Sequence, residues 1–172
     1  NIYYNTMIGA LAGYNLTDGN DNTLIGSEVA YNGSNASDNT IVGQKAGYSL
    51  DGGDKNTYLG TESGYSSGGS GNVFIGYKAG YSSVDSNKLY ISSYNDDNST
   101  ERNLLYGDFS TGDLSLGQTS GTVTVLNDAD IDGTLTVGAL SDVETSITTN
   151  TTNISTNTCL LYTSPSPRDL LK

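Results

Sequence analysis

The sequence predicts a mainly β protein: a parallel β-roll, or β-solenoid, of about five 17-residue coils, then a β connector and a short C-terminal helix that associates as a coiled coil. Three observations carry this prediction. One short pattern returns at a nearly fixed interval through the first half of the chain, two adjacent positions of every copy are apolar, and residues near the C-terminus fall into heptads. A short period marks a solenoid, because each repeat buries its apolar face only when the next one stacks upon it.

The copies begin Asn5-Thr6-Met7-Ile8-Gly9, Asn22-Thr23-Leu24-Ile25-Gly26, Asn39-Thr40-Ile41-Val42-Gly43, Asn56-Thr57-Tyr58-Leu59-Gly60 and Asn72-Val73-Phe74-Ile75-Gly76. Each runs on to a small residue and a tyrosine: Tyr14, Tyr31, Tyr48, Tyr65 and Tyr81, spaced 17, 17, 17 and 16 apart. The missing residue comes from a Ser/Gly/Asp/Asn stretch after Tyr65, and length variation of that kind marks a surface loop. The head of the protein is assigned to residues 1–86.

Met7, Leu24, Ile41, Tyr58 and Phe74 make one apolar column, and Ile8, Ile25, Val42, Leu59 and Ile75 the next. Neighbours on a strand point to opposite faces, so a strand apolar at both positions is buried on both sides. One column fills the coil; the other needs a partner surface, either a second copy or a covering segment of the same chain. Five large side chains at roughly 1.5 to 3 kcal/mol each amount to about 10 kcal/mol, as much as an ordinary domain's whole stability. Self-association is the expectation.

Residues 87–139 read as a β-rich cap and connector. Asn87-Lys88-Leu89-Tyr90-Ile91 resembles a sixth copy with Ile91 where Gly should stand, as an atypical terminal repeat would have. Residues 122–126 and 131–137 alternate in period two around Asp132-Gly133, which predicts strands and a tight turn. Ser141-Asp142-Val143-Glu144 is a capping-box signature. Beyond it Leu140, Ile147 and Ile154 take heptad position a, and Val143, Asn150 and Asn157 take d, so a coiled-coil stalk starts over 140–158. Thr and Asn are poor helix formers, so only association holds so short a helix.

Ile147-Thr148-Thr149-Asn150-Thr151 and Ile154-Ser155-Thr156-Asn157-Thr158 resemble the Ile-x-x-Asn-Thr heptads of trimeric autotransporter adhesin stalks. The Asn-Thr-x-Ile-Gly-x-x-Ala-Gly-Tyr repeat is similar to the head repeats of those adhesins and to repeats of phage tail fibres, and residues 103–110 resemble a segment that follows such repeats in tail fibres. The resemblance implies a left-handed parallel β-roll and a parallel trimeric coiled coil, with Asn150 and Asn157 turned to the threefold axis around a chloride-like anion. It further implies an extracellular homotrimer, on a virion tail fibre or a bacterial cell surface, that attaches to a host glycan or protein. The alternative is a purely structural shaft, with recognition carried by other domains.

Residues 159–172 differ abruptly: the single Cys (Cys159) and both prolines (Pro165, Pro167) lie there, and residues 159–169 resemble the translation of a sequencing adapter. The tail is therefore set aside, and the chain is expected to be a fragment cut at both ends. The formal net charge is −12, and without Arg168, Lys172 and Asp169 it is −13. Lys/Arg clusters that would bind phosphate are absent, which excludes nucleic acid as a partner. No apolar run is long enough for a membrane span.

There is no His, and outside the tail no Cys, so the common acid/base and thiol arrangements are missing. Paired carboxylates could still cleave glycosides. Asp21, Asp38, Asp51, Asp54, Glu28 and Glu62, however, are scattered over loops and polar columns without a convergent pair. Asp128-Ala129-Asp130-Ile131-Asp132-Gly133 imitates a calcium loop but has Ala139 at the position of its bidentate Glu. No catalytic residue, metal or cofactor is assigned. Tyr14, Tyr31, Tyr48, Tyr65 and Tyr81 form an aromatic ladder, read first as packing and second as a surface for sugars. The repeated Asn reads as a turn residue tolerant of positive φ, with an amide that could ladder from coil to coil.

Overall fold

The structure, a computed structural model, describes residues 2–94, 101–117 and 123–126, and Asp132, Thr152 and Ile154 singly. Every repeat contributes one coil with one short strand: β1 (Thr6–Ile8), β2 (Thr23–Ile25), β3 (Thr40–Val42), β4 (Thr57–Leu59) and β5 (Val73–Ile75). They pair in parallel, and the ladder register is the sequence period, with Thr6 opposite Thr23, then Thr40, Thr57 and Val73. β-Branched and aromatic residues favour the strand, and the glycine that follows ends it. Gly9, Gly26, Gly43, Gly60 and Gly76 have φ of 119° to 145°, and a Cβ on Gly43 would lie 2.2 Å from the Gly60 carbonyl oxygen. Coils stack backbone on backbone there, so no side chain fits.

The first apolar column points inward. Leu24, Ile41, Tyr58 and Phe74 are buried, Met7 is half-buried, and Val29, Ala46 and Ala79 close the interior from the other wall. Nine residues after the inward column the coils carry Leu16, Gly33, Leu50, Ser67 and Ser83, so the two aromatic residues Tyr58 and Phe74 share their coils with serine, Met7 and Ile41 with leucine, and Leu24 with glycine. The Tyr58 hydroxyl meets Ser67 Oγ at 2.8 Å, whereas Ser83 Oγ, beside a phenylalanine coil, is buried without a hydrogen-bond partner.

The repeated asparagines are the polar spine. Asn22, Asn39, Asn56 and Asn72 are buried, and each Oδ1 accepts the backbone N–H of the residue starting the next coil, at 2.8 to 3.0 Å. Each Nδ2 donates to a carbonyl at the end of its own coil: Ala36, Gly53, Gly69 and Asp85. One amide thus closes a coil and joins it to its neighbour. The asparagines are not themselves at positive φ; that burden falls on the residue before them, Tyr4, Asp21, Asp38 and Lys55 at 57° to 60°. The laddered amide, not a left-handed backbone, makes Asn the residue of this column.

A sixth strand, β6 (Lys88–Tyr94), adds in parallel to β5, and then the chain reverses into an antiparallel meander of β7 (Glu101–Asp108) and β8 (Asp113–Leu116). A single sheet runs β1 to β8 in sequence order. The register corrects the reading of the sixth copy by one residue: Lys88, not Asn87, occupies the asparagine column, Ile91 pairs with Ile75, and Ser92 stands where glycine does elsewhere. The Lys88 N–H still donates to Asn72 Oδ1, while its ammonium pairs with Asp108 at 2.6 Å. The amide spine therefore ends at an ion pair.

The described residues up to Thr124 belong to one compact unit. Of the strand predicted at 122–126, residues 123–126 are described; they are exposed and form no strand. The strand predicted at 131–137, the calcium-like loop, the coiled coil over 140–158 with Asn150 and Asn157, and the tail lie outside the described residues, apart from Asp132, Thr152 and Ile154, too few to define an element.

Candidate interaction surfaces

With the first column inside, the second faces out. Ile8 is 57 % and Leu59 50 % exposed, and Ile25, Val42 and Ile75 are half-buried. Strand register carries the column further than the repeats do, because cross-strand partners share a face. Ile75 pairs with Ile91, Ile91 with Leu105 and Leu105 with Leu116, so the aliphatic line is continuous over all eight strands. Beside it run Thr6, Thr23, Thr40, Thr57, Val73, Leu89, Gly107 and Leu114. No charged residue interrupts either line. The opposite face carries the aromatic line Tyr58, Phe74, Tyr90 and Tyr106, with ring centres 4.8 to 5.3 Å apart. From β4 to β7 the aliphatic and aromatic lines thus keep to opposite faces of the sheet.

The tyrosine column is a second outward ladder. Tyr14, Tyr31, Tyr48, Tyr65 and Tyr81 stack with ring centres 4.9 to 5.2 Å apart and ring planes within 8°. The inner rings spend both faces on their neighbours, whereas Tyr14 at the first coil stacks on Tyr31 by one face only and is exposed. The rings thus pack coil on coil.

Three residues before each tyrosine lies a column that the sequence reading passed over as scattered charges. It reads Leu11, Glu28, Lys45, Glu62, Lys78, all at positive φ between 54° and 58°. Its signs alternate from coil to coil, with Glu28 to Lys45 and Glu62 to Lys78 both 3.7 Å. Lys78 Nζ sits over three tyrosine rings, at 5.1 Å from Tyr77, 5.6 Å from Tyr81 and 5.5 Å from Tyr94. Partial burial, and after it the Glu62 carboxylate, holds the Tyr81 phenol above its ordinary pKa. Aligning the copies by their asparagines, and tabulating charge as well as apolarity, would have exposed this column.

The loop carboxylates have structural partners. Asp54 Oδ1 accepts the Ser37 N–H at 2.8 Å in a line that includes Asn20 Oδ1, Ser37 Oγ, Ser70 Oγ and Ser86 Oγ, each capping a backbone N–H of the preceding coil. Asp51 accepts from Ser34 Oγ. At the end of the spine Asp108 is held well below the ordinary carboxylate range by the Lys88 hydrogen bond and then by Ser110, and Lys88 is raised in turn. Among the described residues no group of His, Cys, Asp and Glu is placed to hold a metal ion, and no helix is long and apolar enough to cross a membrane. Comparison with models of known families, with curated proteins and with solved structures finds no match to this chain.

Proposed function

We propose that this chain is part of a homotrimeric extracellular fibre, a phage tail fibre or bacterial surface adhesin, that attaches to a host glycan or protein. The observation that supports it is the uninterrupted aliphatic line from Ile8 to Leu116 on the outer face of the sheet. An exposed apolar strip of that length calls for a partner, and a second and third copy supply the matching strip at the same spacing. The similarity of the repeats to adhesin heads, and of residues 147–158 to trimeric stalks, is the ground for choosing three. On the same ground a halide ion would sit on the axis at Asn150 and Asn157.

Light scattering of Ile25→Asp and Leu24→Asp variants tests the assembly. Ile25→Asp yields folded monomers from a trimeric parent, while Leu24→Asp, which places a charge in the coil interior, abolishes folding. A parent chain that is folded and monomeric at tens of micromolar would overturn the trimer. The second reading, a structural shaft without recognition of its own, is favoured by the laddering of loop side chains, which spends Asp51 and Asp54 on the fold. Glycan-array binding by this chain separates the two.

A further inference from the structure

We infer that the face bearing the tyrosine and Glu/Lys ladders is a homotypic contact that takes a second copy of this chain running antiparallel. This contact uses different columns from the aliphatic strip and holds whether the chain is monomeric or trimeric.

The inference rests on the order of the charges. Along the solenoid the column reads Glu28, Lys45, Glu62, Lys78, one per coil. Consider a twofold axis at right angles to the solenoid, lying between the two facing surfaces and level with the gap between the third and fourth coils. It sets each tyrosine ladder against the other and reverses the second charge column. Glu28 then meets Lys78 of the second copy, Lys45 meets Glu62, and the two remaining pairs follow by symmetry. Every contact is between opposite signs. Parallel copies related by a twofold axis are held in the same register, Glu against Glu and Lys against Lys, which is repulsive at every rung, so among symmetric pairs the ladder selects the antiparallel one.

The geometry of the ladder suits such a contact. Stacked tyrosines of constant spacing give a straight, regular edge, and in-register ladders of identical side chains interdigitate between sheets. The charged side chains remain partly open: the Glu28 and Lys45 side chains are 31 % and 36 % exposed, Glu62 and Lys78 26 % and 24 %. Four coils at about 4.8 Å each span less than about 20 Å, and even a patch as wide as it is long covers only about 400 Å², well short of the roughly 800 Å² per partner of a stable interface. One pair of chains therefore associates weakly, and the contact gains strength where many copies face many others. Antiparallel contact is what two opposed surfaces present to each other when each carries the same fibre anchored at the same end.

The test couples the full chain to beads through the thiol of Cys159, its single cysteine, so that facing beads present antiparallel chains. Unmodified beads cluster at low salt and disperse at about 1 M, where screening acts within about 3 Å. An acidic ladder (Lys45→Glu with Lys78→Glu) and a basic ladder (Glu28→Lys with Glu62→Lys) each abolish clustering of their own beads. A mixture of the two restores it. Both variants stay negative overall, moving from −12 to −16 and to −8, so net charge opposes the mixed clustering and only the local ladder can produce it. Glu and Lys already share this backbone conformation in adjacent coils, and a circular dichroism melt of each variant confirms the fold. If a swapped ladder fails to fold, Glu28→Gln with Glu62→Gln replaces it, with reduced clustering and reduced salt dependence expected. The inference is overturned if unmodified beads do not cluster, if clustering ignores salt or the swaps, or if the mixture stays dispersed. A chain monomeric by light scattering can still pass this test, so its failure is distinct from failure of the trimer.

Discussion

Replacing Asn39 by alanine removes the central link of the polar spine, and its cost can be worked from the bonds it makes. Asn39 Oδ1 accepts the Asn56 N–H at 2.9 Å, and Nδ2 donates to the Gly53 carbonyl and to Asn22 Oδ1, both at 3.0 Å. The side chain is fully buried, so bulk solvent does not compete for these bonds in the parent. Truncation leaves a buried N–H and a buried carbonyl each short of a partner, at about 1 to 3 kcal/mol apiece, or about 2 to 6 kcal/mol together. Asn5 holds the same column at the first coil but is only half-buried, and there water substitutes, so Asn5→Ala costs about 1 kcal/mol. Urea titration followed by circular dichroism measures both. A lower slope for Asn39→Ala than for its parent would show the stack melting in two parts instead of one. A loss below about 0.5 kcal/mol at Asn39, or equal losses at the two sites, would refute the account of the spine as the link between coils.

Four further outcomes follow from the same structure. Phe74→Tyr supplies Ser83 Oγ with the partner that Tyr58 gives Ser67, and should raise stability by about 1 kcal/mol in the same titration. The Tyr58 phenol is pushed up to about 12 by burial, against which the Ser67 hydrogen bond works. The folded state therefore holds that proton more tightly than the unfolded one, so its contribution to stability is intact below a pH of about 10 and falls by about 3 kcal/mol as pH rises through about 12, and Tyr58→Phe should make the alkaline slope shallower. Asp108 lies on the opposite side: its lowered pKa contributes stability above the ordinary carboxylate range that is lost as pH falls below it, and Asp108→Asn should flatten the acid limb of the melting curve. Gly64→Ala, whose Cβ would fall 2.4 Å from Tyr58 Cε2 at a φ of 58°, should lower the melting temperature more than Gly52→Ala at a φ of 72°, where nothing lies within 4 Å.

The repeat made the coils legible because in a solenoid the sequence period and the ladder register are the same number. Asn, Gly and the two apolar columns could be placed from spacing alone, and alternation along a strand divided inside from outside. Which column went inside was not legible, since Leu24 and Ile25 differ too little in size or polarity. One sign of the choice lies on the far wall, where Ser67 meets the inward Tyr58 hydroxyl, a pairing visible only once the coil's own cross-section is known. The one-residue slip at the sixth copy has a similar cause. Asn87 looked like the spine residue, yet it takes the positive-φ position before the strand, at 61°, and Lys88 follows in the spine. A single sequence could not weigh these alternatives, because Asn suits both positions. The extension of the aliphatic line onto Leu105 and Leu116 was beyond reach for another reason, since antiparallel pairing across a bulge between Ile91 and Ser92 sets that register.

Alternating charge in the Glu/Lys column has a simpler cause to compete with. Neighbouring coils pair Glu28 with Lys45 and Glu62 with Lys78 at 3.7 Å, and pairing within one chain favours alternation by itself. Exposed pairs at that distance contribute about 0 to 1 kcal/mol, and the acidic and basic ladders both forfeit them equally. A role confined to the single chain therefore predicts two variants slightly less stable than their parent and indifferent to each other. Contact between copies predicts two variants that each lose self-recognition and regain it together. The aliphatic strip cannot imitate this result, because apolar association ignores the sign of a distant charge and does not weaken with salt.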